Sequence, residues 1–502
     1  MPTLNDLLKI LEQNNKKGTN RVPIFPAFRR HKADYDLILI RLAYDFAEQA
    51  HKGQIRKSGE SYIEHPLATA ITLAQMGLDQ DSIIAGLLHD VPEDTSSSLV
   101  EIEKNFGPEV AKLVSGITKL GMIKYRGLEK YAENLRRMFV AMAQDIRIIL
   151  IKMADRLHNL KTLKALPEEK QKRIARESLE IYAPIANRLG MGGVKGELED
   201  LAFPYVYPEK YAWLKKEILP AIELKMEYVK KVIEVIKKEL AKENLKVISI
   251  HGRAKRLYSL YQKLQKPHYN GDASKIYDLV AIRIIVPTVA DCYQTLGLIH
   301  RLWKPLPGRI KDYIAQPKPN GYQSLHSTVF CLDGKIVEIQ IRTLEMHEQA
   351  EYGIAAHWHY KESGRQPKKI GEKGYMLPKK MQWVEDLVNW QKEIHDNKQY
   401  LDSLTLDFFH NRIFVFTPKG DVIDLPEEAT PVDFAYHVHT WIGNHCAGAK
   451  INGQMAGCDD RLKNGDVIEI ITEKNKKGPN RDWLKSVKTQ AARAKIKSAA
   501  AK

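Results

Sequence analysis

The chain reads as a multidomain protein with an all-α N-terminal region, an α+β middle region and a small α+β domain near its C-terminus. Three observations predict this. At 502 residues it is too long for one core, so two to four domains are expected. From the N-terminus to about residue 200 the pattern is helical, with short loops and few β-branched alternations. Beyond about residue 245 the character changes, and strand-like segments such as KIYDLVAIRIIVP, HSTVFCL and KIVEIQIRT take over.

In order along the chain, the apolar SIIAGLL runs into LLHDVPEDT, and IRIILIKMADRLHNLKTL reads as one long, mostly apolar helix. A second helical stretch runs from about Pro208 to Asn244, with EYVKKVIEVIKKELAKEN amphipathic. Asp333-Gly334 between two strands is a strong hairpin signal. In VEIQIRT the alternation puts Glu338, Gln340 and Arg342 on one face and Val337, Ile339 and Ile341 on the other. Gly364–Lys380, rich in Lys, Gly and Pro, reads as a loop or linker. From Arg412 to about Thr472 short strands and turns return, and the tail KSVKTQAARAKIKSAAAK reads as the start of a basic helix. No internal repeat is visible.

Composition narrows the function classes. Hydrophobic content of 44% and charged content of 28% fit a soluble globular protein. The N-terminus lacks a signal architecture, and no apolar run approaches the ~20 residues of a membrane span. Cys292, Cys331, Cys446 and Cys458 are scattered without a CxxC pair, which argues against structural zinc and disulfides and for a reducing cytosol. The net charge of +16 suggests polyanionic partners such as nucleotides, RNA or the ribosome, although a solvated basic surface accounts for the same number.

The densest chemistry is His89-Asp90 followed by Glu93-Asp94. Buried charge is costly unless it is paired or metal-bound. A lone His-Asp dipeptide is more often a solvated helix end, so partners are needed. Upstream, RKSGESYIEHP offers His65 and the basic pair Arg56-Lys57. Downstream, Asp155, His158, Asn159 and Thr162 fall at i, i+3, i+4 and i+7, a polar stripe along one helix. Singly each is an ordinary cap or satisfied core group; a stripe on an apolar helix lines a cleft. His65, His89, Asp90 and Asp155 make a nitrogen and oxygen ligand set suited to Mn²⁺, Fe²⁺ or Zn²⁺. Open positions would hold a phosphate oxygen and a water of lowered pKa. Glu93 and Asp94 would orient that water and relay its proton, giving phosphate-ester hydrolysis.

The middle region carries different chemistry. HGRAKRLYSLYQKL places Arg253 and Lys255 at a turn and Ser259 and Lys263 down one helix face. Asp278 and Arg283 follow on a strand, and RIKDYIAQPKPNGYQSLH supplies Arg309, Lys311, Asp312, Lys318, Tyr322 and His326. Converging cations with two acids suit a metal–nucleoside triphosphate, with Asp278 and Glu338 holding Mg²⁺. The cations would neutralise charge developing in phosphoryl transfer, and Tyr322 beside Gly321 offers a flat ring for a purine. There is no GxxxxGK[ST] loop. Each residue alone reads equally well as surface charge, except Glu338, which alternates out of an apolar strand.

From about Ile40 onward the chain resembles the RelA/SpoT homologue family, the long-form enzymes of the stringent response. The resemblance rests on RKSGESYIEHP, LLHDVPEDT, KMADRLHNLKT, IYAPIANRLGM, ELEDLAF, GRAKRLYSLYQK, YDLVAIRIIV, GRIKDYIAQPKPNGYQSLH, VEIQIRT, AEYGIAAHWHYK and VFTPKGDVIDLP. It implies an all-α HD-type metal-dependent (p)ppGpp hydrolase domain over 1–200 and an α+β, nucleotidyltransferase-like (p)ppGpp synthetase domain over 201–395, with a mixed sheet and a leading helical linker. A small β-grasp TGS domain over 396–473 and a basic helical tail over 474–502 would follow. The implied reactions are removal of the 3′-pyrophosphate of (p)ppGpp and its synthesis by moving pyrophosphate from ATP to the 3′-OH of GDP or GTP. By motif, His65, His89, Asp90 and Asp155 match Mn²⁺ ligands, Glu93 and Asp94 the catalytic acids, and Arg56, Lys57, Ser58, Asn159 and Thr162 hydrolase nucleotide contacts. Asp278 and Glu338 match Mg²⁺ carboxylates, with Glu338 also a candidate base for the 3′-OH. Arg253, Lys255, Lys263, Arg283, Arg309, Lys311, Lys318, Tyr322 and His326 are the synthetase nucleotide candidates, Tyr322 matching the residue that stacks on guanine. His439 in DFAYHVH matches a TGS position implicated in contact with deacylated tRNA on the ribosome. The implied location is the cytoplasm, with neither membrane nor DNA as a partner.

The HDxxED set and the basic Arg309-Ile310-Lys311-Asp312, where synthesis-only members tend to carry an acidic ExDD, imply an enzyme that runs in either direction. Two alternatives stand beside it: the same architecture with one working site, hydrolase-dominant, or a tRNA- or ribosome-binding regulatory factor. The chain departs from the family pattern at Pro92, expected to end the preceding helix and leave Glu93 and Asp94 on a turn. It also departs at Lys161, where arginine is frequent, and in ending about thirty residues past the TGS-like region, where long members continue into further regulatory domains.

Overall fold

In a computed structural model of the chain the described residues are 2–16, 35–121, 128–356 except 268 and 319, scattered positions between 384 and 400, and 412–500 except 464 and 474–477. The stretch read as a linker, 364–380, lies outside them. The chain divides into two compact units, one of Met1–Lys124 with Arg137–Glu385 and one of Tyr125–Arg136 with Asp386–Lys502.

The first unit begins with helices α1 (Leu4–Lys16), α2 (Leu37–Ala50), α3 (Glu64–Met76), α4 (Gln80–Leu88), α5 (Val91–Asp94), α6 (Leu99–Phe106) and α7 (Pro108–Gly121). Helix α8 (Leu128–Gln144), whose residues up to Arg136 belong to the second unit, is followed by α9 (Ile146–Lys161), α10 (Glu168–Glu177), α11 (Ala183–Arg188) and α12 (Gly192–Val206). Acidic N-caps set the starts that matter here. Asp36 accepts from the Ile38 and Leu39 amides, Asp79 from Ser82 and Asp145 from Arg147. Helix α3 ends at Gly77, whose φ of 77° is the left-handed cap that a glycine adopts without Cβ strain.

Helix α9 is buried almost all round, through Ile148, Ile149, Leu150, Ile151, Met153 and Leu157. Asp155 is buried with them, so it has only a cleft to face. Helices α3, α4 and α7 pack on it. The approach of α3 to α4 is close at Gly86, where a Cβ would lie 2.5 Å from Leu73 Cδ1. That contact brings His65 at the start of α3 near His89 at the end of α4. Pro92 lies in the first turn of the four-residue α5, so α4 stops at Leu88 and Glu93 and Asp94 sit on a separate helical turn.

The rest of the unit is α+β. Helices α13 (Pro208–Glu217) and α14 (Leu219–Lys242) precede β1 (Ser249–Ala254) and α15 (Leu257–Leu264). Strand β2 (Val280–Val286), α16 (Val289–Leu302), β3 (Pro305–Asp312), β4 (Leu325–Phe330), β5 (Ile336–Thr343) and α17 (Leu344–Tyr352) complete it. The sheet order is β1-β2-β5-β4-β3, with β2 and β5 parallel and the other pairs antiparallel, which makes it mixed. Its apolar face, including Val337, Ile339 and Ile341, packs with Val229, Val232 and Ile236 of α14. The β4–β5 hairpin turns at Asp333 (φ 55°) and Gly334 (φ 69°), both left-handed as an Asp-Gly turn requires.

Two strands differ from the sequence reading. Arg253 lies on β1 rather than at a turn, and β3 forms despite two prolines and Gly308. Strand β3 is an edge strand with a register shift between Pro305 and Ile310, which is where prolines are tolerated in a sheet. Asp278 sits in the turn just before β2, not on a strand.

In the second unit a hairpin of β6 (Arg412–Phe416) and β7 (Val422–Pro426) leads into α18 (Pro431–Val438) and α19 (Thr440–Asn444). Strands β8 (Cys446–Ile451), β9 (Gln454–Ala456) and β10 (Ile468–Thr472) form a sheet in the order β10-β8-β9. A parallel bridge from Phe416 to Val467 joins the hairpin to that side. The tail helix α20 (Gln490–Ala500) packs through Ala492 and Ile496 against Val432, Ala435 and Tyr436. Buried Asp433 ties it there, accepting from the Lys488 and Thr489 amides as well as from its own cap partner Thr430.

Candidate functional site

The first site forms where α3, α4, α5 and α9 meet. One ligand atom each from buried His65, His89 and Asp155 lies within 4.8 Å of the others. Asp90 borders the group, its Oδ2 3.5 Å from His65 Nε2 and its Oδ1 3.1 Å from His89 Nε2. The donor set fits a divalent metal on an independent ground. His89 Nδ1 lies 2.9 Å from the Gly86 carbonyl, which can only accept, so the His89 lone pair is on Nε2. That Nε2 is buried and has no hydrogen-bond partner. An inward-facing unpartnered imidazole nitrogen beside two carboxylates is what a cation would occupy.

Electrostatics keep the acids ionised. Burial pushes the Asp155 carboxyl up, but Lys152, 2.7 Å away, outweighs it and holds it well below the usual carboxylate range. Asp90 is lowered as well, against its own burial. Glu93 goes the other way, since partial burial raises it against the pull of Lys152. Tyr62 donates to Asp94, lies 3.1 Å from Asp90, and stacks on His51 with ring centroids 4.4 Å apart. Its own proton is held tightly by burial and by these carboxylates.

The remaining candidates ring this cluster. Arg56 reaches Asn159 Oδ1 at 2.9 Å, and Asn159 donates to Asp155, so the asparagine amide is spent inside the site. Thr162 ends α9 with its hydroxyl 3.3 Å from the His158 carbonyl. Lys57 and Ser58 are exposed on the turn before α3. Lys161, on the outer face, pairs with Glu197 at 2.8 Å.

The second site is a cavity of about 320 Å³ between the sheet and α12. Of the sequence candidates, Arg253, Lys255, Asp278, Arg283, Lys318 and Tyr322 line it, together with Ser259. Asp278 is gripped by Lys255 at 2.8 Å and Lys263 at 2.7 Å, which overcome burial and bring its carboxyl down to about 2. Glu338 lies on the central strand β5 opposite Ala281 and Thr328. His326 Nδ1 stands 3.3 Å from its carboxylate, and Gln340 donates to it at 2.8 Å. Burial raises Glu338 less than these neighbours lower it, so it is a carboxylate. Tyr322 donates toward or accepts from His326 Nε2 at 2.8 Å, and its ring lies under the Lys318 ammonium at 5.1 Å. Arg309, Lys311, Lys263, His326 and Glu338 are not among the cavity-lining residues; Arg309 instead lies over Tyr277 at 5.7 Å.

Several site residues had no assignment from sequence. Arg342 is buried at 1% exposure with no hydrogen bond at Nε or Nη2, and it faces the cavity beside Arg283. Glu351 is their counter-ion, 3.1 Å from Arg283 and 3.8 Å from Arg342. The β5 alternation that placed Arg342 with Glu338 and Gln340 carried the signal for the first. Lys195 and the glycine-rich start of α12 complete the wall through a long-range contact that no local pattern announces. In the first site Tyr62 and Lys152 were within reach, lying three residues from His65 and Asp155, while His158 stood on the polar stripe with no role of its own assigned.

In the second unit His439 is exposed and caps α19, its Nδ1 accepting from the Trp441 amide at 3.1 Å. Exposed Trp441 stacks on His445 at 4.4 Å. Among the described residues no helix is long and apolar enough to cross a membrane.

Comparison with known proteins matches residues 43–192 to the HD domain, 252–365 to the region found in RelA/SpoT proteins, and 413–472 to the TGS domain. The chain is 46% identical over 476 residues to a Myxococcus xanthus protein named GTP pyrophosphokinase, covering 94% of this chain and 61% of that one. It is 48% identical over 459 residues to an Aquifex aeolicus guanosine-3′,5′-bis(diphosphate) 3′-pyrophosphohydrolase, covering 91% and 64%. To a Mycobacterium tuberculosis protein named bifunctional (p)ppGpp synthase/hydrolase RelA it is 44% identical over 492 residues, covering 96% and 65%. The chain thus spans less than two thirds of the length of each of these relatives.

Proposed function

The chain belongs to the RelA/SpoT homologue family, with its HD, RelA/SpoT and TGS domains in that order, and from that premise we propose that it both makes and destroys (p)ppGpp. The observation that carries this is the presence of two separate polar sites in one compact unit. One is a buried histidine–carboxylate cluster, the other an arginine- and lysine-lined cavity of nucleotide size. The working boundaries are 1–200 for the hydrolase, 201–395 for the synthetase, 396–473 for the TGS domain and 474–502 for the tail.

For hydrolysis, His65, His89, Asp90 and Asp155 would hold the metal, and their mixed nitrogen and oxygen donors favour Mn²⁺ over Mg²⁺. The bound ion would polarise the 3′-phosphate and lower the pKa of a water. Glu93, held above the usual carboxylate range, is suited to take that water's proton and return it. Tyr62 fixes the Asp94 carboxylate beside it. Arg56, Lys57, Ser58, Asn159 and Thr162 rim the cleft where the nucleotide would enter.

For synthesis, Glu338 is an ionised carboxylate able to accept the proton of the 3′-OH, and with Asp278 it would hold Mg²⁺. Lys255 and Lys263, paired with Asp278 here, would be the cations nearest the phosphate oxygens. The guanine would stack on Tyr322, and Arg253, Arg283 and Lys318 would carry the triphosphate charge. Arg309, Lys311 and His326 would act from the β3–β4 rim.

The test is to assay the purified chain separately for ATP-dependent formation of (p)ppGpp and for its breakdown with and without Mn²⁺. Absence of Mn²⁺-stimulated breakdown would leave a synthetase alone, and absence of formation a hydrolase alone. A pH prediction follows from Lys318. The residue as a whole is exposed, but its ammonium lies against the Tyr313 and Tyr322 rings at 4.6 and 5.1 Å. Burial there and the neighbouring Lys311 bring it down to about 8. The charged form binds phosphate, so kcat/KM for synthesis should fall as pH rises through about 8. Lys318→Arg should move that alkaline limb upward; an unchanged limb would assign it to another group.

The face formed by exposed His439 and Trp441, with half-buried His445 stacked on the latter, is proposed to contact deacylated tRNA on the ribosome. Loss of tRNA binding in His439→Glu, measured by filter binding, is the expected result, and undiminished binding would move the contact elsewhere. With nucleotide substrates and no membrane partner, the chain is assigned to the cytoplasm.

A further inference from the structure

His89 and His65 must both present a lone pair on Nε2 to serve one metal, and they achieve this by different means. The His89 tautomer is set by the Gly86 carbonyl of its own helix. His65 has no such backbone acceptor. Its Nδ1 lies 2.9 Å from Nδ1 of His158, a side chain one turn beyond Asp155 on α9. Two imidazole nitrogens at that distance need one proton between them, and their separation alone does not say which carries it.

Arg56 decides. A guanidinium can only donate, and Arg56 Nη1 is 3.1 Å from the same Nδ1 of His158. That nitrogen must therefore bear the lone pair, with the His158 proton on Nε2. The proton between the rings then belongs to His65 Nδ1. Neutral His65 is left with its lone pair on Nε2, the atom that faces Asp155 at 3.2 Å and Asp90 at 3.5 Å. A doubly protonated His158 would set its Nδ1–H against the Arg56 guanidinium, two donors with no acceptor between them.

We propose that His158 is a positioning residue, which fixes the tautomer and orientation of His65 for a divalent metal and itself takes its direction from Arg56. A second bridge runs in parallel, from Arg56 Nη2 to Asn159 Oδ1 at 2.9 Å and from the Asn159 amide to Asp155. One guanidinium at the cleft rim thus reaches two metal-facing side chains through adjacent residues of α9. Outer partners of this kind orient the ligand and raise its basicity.

The inference rests on the reading of His65, His89, Asp90 and Asp155 as a metal site, and the experiment separates the two. Mn²⁺ affinity of the full chain is measured by calorimetric titration, without nucleotide, for the parent, His89→Ala, His158→Leu and His158→Asn. The asparagine Oδ1 replaces the Nδ1 acceptor, while leucine removes it. The expected result is loss of binding in His89→Ala, weakening by ~10–100-fold in His158→Leu, and near-parental affinity in His158→Asn. If the parent does not bind Mn²⁺, or His89→Ala binds it undiminished, the metal-site reading falls and this inference with it. If His89→Ala loses binding but His158→Leu keeps parental affinity, or His158→Asn is as weak as leucine, the site stands and the role of His158 is refuted.

Discussion

Replacing Asp155 with alanine should abolish Mn²⁺-dependent (p)ppGpp breakdown while leaving synthesis close to the parental rate. Outer partners of a metal alone are worth ~10–100-fold, so removal of a ligand sets ~100-fold as the floor of the loss. Asp155 does more than face the cation. It is the partner of Lys152 at 2.7 Å and takes the Asn159 amide, so its removal leaves an ammonium and an amide without their acceptor in a mostly buried cleft. Asp155→Asn keeps the shape and tests whether the loss follows the charge. Both variants should be followed by pyrophosphate release from ppGpp and, independently, by AMP formation from ATP and GDP. Helix α9 lies outside the synthetase sheet, so the second assay should be unaffected. A folded variant silent in both would end the assignment of two separate sites.

How far the sequence carried depends on the range of the interaction. Helix α9 was legible because an apolar run long enough to cross a core, carrying polar residues at i, i+3, i+4 and i+7, has few other solutions. The Asp333-Gly334 hairpin was legible because both left-handed φ values are a local demand. Strands β1 and β3 were not. Neither alternates cleanly, and the prolines of β3 are tolerated only because it is an edge, a fact of topology. The same division runs through the sites. Ligand types and spacing named His65, His89, Asp90 and Asp155, but the proton between His65 and His158 follows from an arginine about a hundred residues upstream of the latter. Asn159 is a subtler case. Its position on the stripe was correct, yet its amide is already committed to Asp155 and Arg56, so a nucleotide contact would have to share it.

Glu338→Gln should stop synthesis and spare hydrolysis. Glutamine fits the same space, and its carbonyl oxygen can still accept from Gln340, which now donates to Glu338 at 2.8 Å. What it lacks is the negative charge and the ability to take a proton. General-base catalysis contributes ~10²–10⁴-fold, and loss of a metal carboxylate adds to that, so a fall in kcat of at least ~100-fold is expected. Because the cavity lining, with Tyr322 and the arginines, is untouched, KM for GDP should change little, the signature of an interaction made in the transition state. Asp278→Asn should differ. It neutralises the carboxylate that grips Lys255 and Lys263, and release of Lys255 at the cavity wall should tighten nucleotide binding even as turnover falls. A Glu338→Gln enzyme whose KM rises while kcat holds would mean that Glu338 helps to seat the nucleotide and that the proton of the 3′-OH goes elsewhere. Its buried neighbour His326, 3.3 Å away and kept neutral mainly by burial, is then the imidazole placed to take it, in contact with both Glu338 and Tyr322.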